Sequence, residues 1–211
     1  MRRRPWRLGP APAVILLAAG AGLVAWGLYI PAKAALAQIL LERAWARAQA
    51  GETNAKPWPW ADIAPVARIE IPRLRQHEIV LEGTSGSALA FGPGHMENSA
   101  RIGERGTAIV AAHRDTQFRY LGELVSGDSV VVITAGHDRI AYRVSQTRIV
   151  RADASGLDPA DYGPNGSRLA LVTCYPFTGV LHSPWRYVVI ADRDTTDGAR
   201  PALAVITGAR Y

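Results

Sequence analysis

Residues 129–151 read SVVVITAGHDRIAYRVSQTRIVR, and this stretch decides the fold class. Ser129–Thr134 is a short, β-branched run, and Ala135-Gly136-His137-Asp138 carries turn residues. Ile140–Gln146 then alternates apolar and polar side chains, and Arg148–Arg151 reads as a further short strand. A β-branched run and an alternating run on the two sides of a tight turn describe a β-hairpin. The same punctuation continues outward in both directions. Upstream, Val66–Ile71 alternates and stops at Pro72, His77–Leu81 ends at Gly83-Thr84-Ser85-Gly86, and Thr107–Ala112 is apolar throughout, the mark of a strand buried on both faces. Downstream come Arg168–Thr173, the turn Gly163-Pro164-Asn165-Gly166 before it, and Trp185–Ala191. Gln117–Leu121 reads as one short helix capped by Asp115 or Thr116. About eight short strands separated by turns predict an all-β domain, a closed barrel or a sandwich. There are no internal repeats.

The first fifty residues are of another kind. Leu8–Ala32 has no charge, and its densest part is Ala13–Ile30, AVILLAAGAGLVAWGLYI. Eighteen helical residues reach about 27 Å, close to the hydrocarbon thickness of a bilayer. Arg2, Arg3, Arg4 and Arg7 precede the run, which predicts a cytoplasmic N-terminus (residues 1–12), a transmembrane helix over 13–30 and an extracytoplasmic remainder. Ala32-Lys33-Ala34 would suit signal-peptide cleavage, but the apolar run is longer than a signal core, so an uncleaved anchor is preferred. Ala34–Ala50 reads as a helix continuing the anchor, within a juxtamembrane stalk over 31–56. Gly51–Pro65, with Pro57 and Pro59 around Trp58, reads as a stiff linker leading into the β domain. That domain is expected over 57–192, with a tail over 193–211.

Charge excludes one function class. The chain has 24 basic and 18 acidic groups, net +6. Residues 1–50 hold seven of the basic groups and one acid, so residues 51–211 are neutral overall. The β domain therefore has no electrostatic footprint for nucleic acid.

Cys174 is the chain's one cysteine, which excludes an intrachain disulfide and a cysteine-cluster metal site. It follows the hydrophobic strand RLALVT and precedes Tyr175-Pro176, so it stands at a strand end, since proline cannot continue a central strand. It is either a small buried hydrophobe or, in an exported domain, a reactive thiol. A thiol nucleophile needs a proton shuttle. His113 ends the buried run TAIVAA and repeats the placement of Cys174. His182, eight residues after the cysteine, competes with it. His137 falls in the hairpin turn, His77 opens a surface strand, and His95 lies in a Gly-Pro loop. Arg186 opens the last strand, which is expected to pair antiparallel with the cysteine strand and so bring its cation near the thiol. The alternative is a surface arginine. His113-Arg114-Asp115 also spells the start of a kinase catalytic loop, but the required Asn and the Gly-rich loop are missing.

An anchor, an exported β domain, a histidine after a buried strand, Leu171-Val172-Thr173-Cys174 and a later arginine together resemble the sortase family. The segments PWPWAD and TCYPF resemble its branch in Gram-negative bacteria. The resemblance spans roughly residues 57–192. It implies a single closed eight-stranded sortase-like β-barrel with one or two short helices, preceded by the transmembrane helix in the inner membrane, with the catalytic domain in the periplasm. It also implies a cysteine transpeptidase with Cys174 as nucleophile, His113 as proton shuttle, Arg186 as oxyanion partner and Thr173 lining the substrate groove. No cofactor or metal is implied. The implied partners are an exported protein with a C-terminal Leu-Pro-x-Thr-Gly-like sorting signal, cleaved between Thr and Gly, and an amine acceptor. Two other readings stay open: a membrane-anchored cysteine peptidase that uses the same residues but only hydrolyses, and a non-catalytic β-barrel binding module on a membrane stalk, which would keep its role without Cys174.

Overall fold

The computed structural model describes residues 11–178 and 183–196. The chain divides into two compact units between Leu40 and Leu41. One helix, α1, runs from Ala11 to Gln49 and carries Pro31 inside it. The anchor and the stalk helix expected after it are thus one element. Its most apolar 18-residue window has a mean hydropathy of 2.1 and is wholly unburied, so the helix is long and apolar enough for a single-pass membrane anchor.

The second unit is a closed eight-stranded barrel. Its strands are β1 (Pro65–Ile71), β2 (Gln76–Glu82), β3 (Gly94–His95), β4 (Gly106–Ala111), β5 (Ser129–Thr134), β6 (Arg139–Arg151), β7 (Ser167–Cys174) and β8 (Trp185–Arg193). They close in the order β1-β2-β3-β4-β7-β8-β6-β5. Two junctions, β2–β3 and β4–β7, are parallel and the rest antiparallel. A six-residue helix, α2 (Gly86–Phe91), is capped by the Ser85 hydroxyl, which accepts from the Ala88 amide at 3.2 Å. Short 3-10 turns occupy Pro72–Leu74 and Arg119–Glu123.

The hairpin of β5 and β6 forms as expected. His137 adopts φ 69°, a left-handed conformation that histidine tolerates in turns, and Thr134 and Asp138 close the turn through backbone and side-chain bonds. What reads as two strands over residues 140–151 is one strand with a bulge between Val144 and Gln146. The extra residue inverts the facing of the strand beyond it. Tyr142 and Val144 fill the barrel interior, yet Val150, of the same parity, packs with Ile109, Val172 and Val188 on the outside. The added eighth strand is β3. It has only two residues and no alternation to betray it. At Gly94 a Cβ would lie 2.2 Å from the Gly83 carbonyl oxygen, so only glycine permits this approach.

Strands β4 and β7 carry continuous apolar runs, Ala108–Ala111 and Leu169–Val172, because both faces are covered there. Ala108, Val110, Leu169 and Leu171 face the interior, while Ile109, Ala170 and Val172 belong to the outer cluster. A third cluster joins Leu41 and Trp45 of α1 to Ile63, Ile79 and Leu81. Trp58 packs edge-on against Phe91 at 5.0 Å, whereas Trp60 is exposed. The expected helix cap at Asp115 or Thr116 does not form. The turn begins two residues later, at Phe118, without a side-chain cap, and Asp115 pairs instead with Arg114 at 3.5 Å.

Candidate active site

Cys174 is the last residue of β7, and β7 pairs with β8 so that Cys174 stands opposite Arg186. The antiparallel return expected of the last strand is therefore present. Alternation continues the outer rows Ala170, Val172 and Ile190, Val188 to these two residues. Both side chains thus end an apolar floor that Ile109 extends and that Val150 and Leu157 flank. Cys174 and Arg186 are half-buried. Arg186 donates from Nη1 to the carbonyls of Ser183 at 2.8 Å and Trp185 at 2.9 Å. Both bonds use one nitrogen of a group with five donors, which leaves its Nε and Nη2 without a partner among the described residues.

His113 reaches the same rim by a different strand. Strand β4 runs parallel to β7 with Ala111 opposite Val172. Two more residues at this register bring His113 level with Cys174. Beyond the ladder, the Ala112 amide donates to the Val172 carbonyl at 3.1 Å, and the Thr173 hydroxyl donates to the Ala112 carbonyl at 2.8 Å. The His113 carbonyl accepts from the Phe118 amide at 3.0 Å, which turns the chain sharply away and leaves the ring exposed. Thr173, expected to line the groove, is 2% exposed, and its hydroxyl is taken up by this bond to the histidine strand.

The remaining histidines separate clearly. His95 is buried and its Nε2 donates to the Ala100 carbonyl at 2.9 Å. His77 is exposed on β2, and the His137 ring bonds the Gln49 carbonyl at 2.7 Å. His182, the competitor for the shuttle, lies outside the described residues. One residue of the rim is not predicted by the sequence. Arg114, next to His113, is 8% exposed and donates from Nη1 to the Pro176 carbonyl at 2.8 Å. Only its place after a buried strand could have marked it, and that is a weak signal.

A closed mixed barrel with a thiol, an arginine and a histidine carried to one rim by three adjacent strands defines the class. The family model for the Sortase domain matches residues 69–194. Sortase D of Bacillus subtilis (strain 168) is 33% identical over 127 residues, covering 60% of this chain and 63% of that protein, so the match takes in less than two thirds of that relative's length. Sortase E from Streptomyces avermitilis is 31% identical with a TM-score of 0.50, covering 65% of this chain and 95% of that one. Sortase A from Corynebacterium diphtheriae is similar in fold, with a TM-score of 0.56 at 24% identity, covering 68% and 67%. The chain belongs to the sortase family.

Proposed function

We propose that this protein is a membrane-anchored cysteine transpeptidase acting on exported proteins with a C-terminal sorting signal of the Leu-Pro-x-Thr-Gly kind. The observation that carries the reading is the register that sets Cys174 against Arg186 and, across β4 and β7, level with His113. The Cys174 thiolate attacks the Thr carbonyl, forming a C–S bond. The Thr–Gly C–N bond breaks, and the imidazolium of His113 gives its proton to the leaving amine. Arg186 donates to the carbonyl oxygen as negative charge develops there. An acceptor amine then attacks the thioester, gives a proton to His113 and releases the thiolate. Thiolate and imidazolium must coexist, so turnover falls on both sides of a pH optimum. Thr173 supports this arrangement from the interior. Residues 13–30 form the anchor, and the barrel works on the extracytoplasmic side of the inner membrane.

The test is mass spectrometry of the detergent-solubilised protein after incubation with a Leu-Pro-x-Thr-Gly peptide. The expected result is an adduct on Cys174 that has lost the fragment beginning at Gly. Added amine should release a ligated product, and release of acid alone in the presence of amine would favour the hydrolytic reading. His113→Ala should abolish the adduct, while His182→Ala should change mainly the peptide concentration needed. The reverse pattern would move the proton shuttle to the loop after the cysteine.

A further inference from the structure

The parallel ladder between β4 and β7 ends at Ala111 and Val172, two residues short of the histidine and the cysteine. The alignment of His113 with Cys174 must therefore be held by bonds beyond the ladder. Among the described residues three such bonds link the two strand ends. Two are those of Ala112 and Thr173 already described, and both act just before the reacting residues. The third, from Arg114 Nη1 to the Pro176 carbonyl, acts just after them. It joins the residue that follows His113 to the second residue after Cys174.

Position and burial both set this arginine apart. A guanidinium taken from water loses much of its hydration, so a protein retains it only where its donors are used. Its ion pair with Asp115 is long, at 3.5 Å, and the carboxylate is exposed to solvent, so the pair contributes little. The Pro176 bond is shorter, at 2.8 Å, and part-buried. Proline has no N–H, so the backbone there cannot tie itself by donating to a neighbour. The side chains beside it pack rather than bond. Tyr175 stacks on Tyr187 with ring centroids 6.3 Å apart, and Phe177 meets Tyr187 at 5.2 Å. Phe177 also lies against Gly122 of the 3-10 turn downstream of Arg114, so closely that a Cβ there would sit 2.9 Å from its ring.

We infer that Arg114 is a positioning residue that clamps the segment after Cys174 to the strand end that carries His113. It fixes the distance between thiol and imidazole by holding the outgoing chain of one to the outgoing chain of the other. The inference rests on the roles proposed for Cys174 and His113.

The test compares wild type, Arg114→Lys and Arg114→Gln in detergent, with the folded fraction measured by circular dichroism. Two readouts are taken per folded molecule. One is peptide turnover resolved into kcat and KM. The other is the rate of Cys174 alkylation by iodoacetamide across pH, which needs no peptide. Misplacing reacting groups while binding is intact lowers kcat and spares KM. Arg114→Gln is expected to lose on the order of 10-fold to 10²-fold in kcat, the scale of a small misalignment. Its alkylation profile should shift along the pH axis, because the thiolate loses its aligned partner. Arg114→Lys keeps a cation and a donor and should fall between the two. If the glutamine variant does not fold, the lysine variant decides. Wild-type kcat together with a wild-type alkylation profile in either folded variant overturns the inference. Absence of a peptide adduct in the wild type would sink the transpeptidase reading, while the alkylation profiles would still judge the clamp.

Discussion

At the residue scale the most exacting part of the site is the pairing of Arg186 with Cys174. The arginine is anchored by two backbone carbonyls through one nitrogen, which orients the plane of its guanidinium. Lysine has the charge but not the fork. A lysine satisfying those carbonyls could not also present a fixed donor to a carbonyl oxygen on the substrate. Arg186→Lys is therefore expected to reduce turnover by about 10²-fold or more, the loss measured when one oxyanion donor is removed. The measurement is peptide turnover in the folded variant, and wild-type rates would return Arg186 to an ordinary strand arginine.

At the scale of elements, the strands were legible wherever one rule governed them. The runs at 108–112 and 169–172 are apolar because both faces are covered, and the hairpin around residues 135–138 carries its own turn chemistry. Two things were not legible. A bulge at residue 145 reverses facing without changing composition, so β6 reads as two strands. Strand β3 is set by a close backbone approach at Gly94 that has no local pattern. The rim followed the same division. Cys174, His113 and Arg186 stand at strand ends that the sequence marks, whereas the burial of Arg114 and Thr173 depends on tertiary packing. Strand β2 adds a half-buried ionisable group. Glu78 shares the inward-facing row of Val80, near Tyr120, whose buried hydroxyl has no partner among the described residues. Burial pushes the Glu78 carboxyl up to about 7, from 4.5. Between those values the unfolded chain has lost this proton while the folded chain keeps it. Stability from this group therefore falls as pH rises from 4.5 towards 7 and stays reduced above it. Asp194, held at about 2 by Thr196 and Arg143, acts only in more acid solution and does not confuse the window. Because Glu78 keeps part of its contact with water, the effect is roughly 1–2 kcal/mol. Glu78→Gln should be more stable than wild type at pH 8, with the gain shrinking towards pH 5. Urea unfolding of both proteins at the two pH values checks this, and parallel pH dependences would show that Glu78 carries no such penalty.

At the scale of the whole molecule, charge and length together argue the orientation. Helix α1 has 39 residues, about 58 Å at 1.5 Å each, roughly twice what a bilayer core accommodates. Only the charge-free part before Lys33 suits hydrocarbon, so the portion carrying Glu42, Arg43 and Arg47 must stand outside it. The entire net charge of +6 resides in the first fifty residues, and four arginines lie ahead of the apolar run. Positive groups next to a span stay on the cytoplasmic side, and the four arginines before the span outnumber Lys33, Arg43 and Arg47, which follow it. The barrel is thus expected to be exported. Alkaline phosphatase, which becomes active only outside the cytoplasm, should be active when fused after Tyr211, and a green fluorescent protein that matures only in the cytoplasm should be dark there. Replacing Arg2, Arg3, Arg4 and Arg7 with glutamine should lower the phosphatase signal, because the bias that orients the helix is then gone. A dark phosphatase fusion with a bright fluorescent one would reverse the orientation and leave the thiol in a reducing compartment, away from any exported substrate.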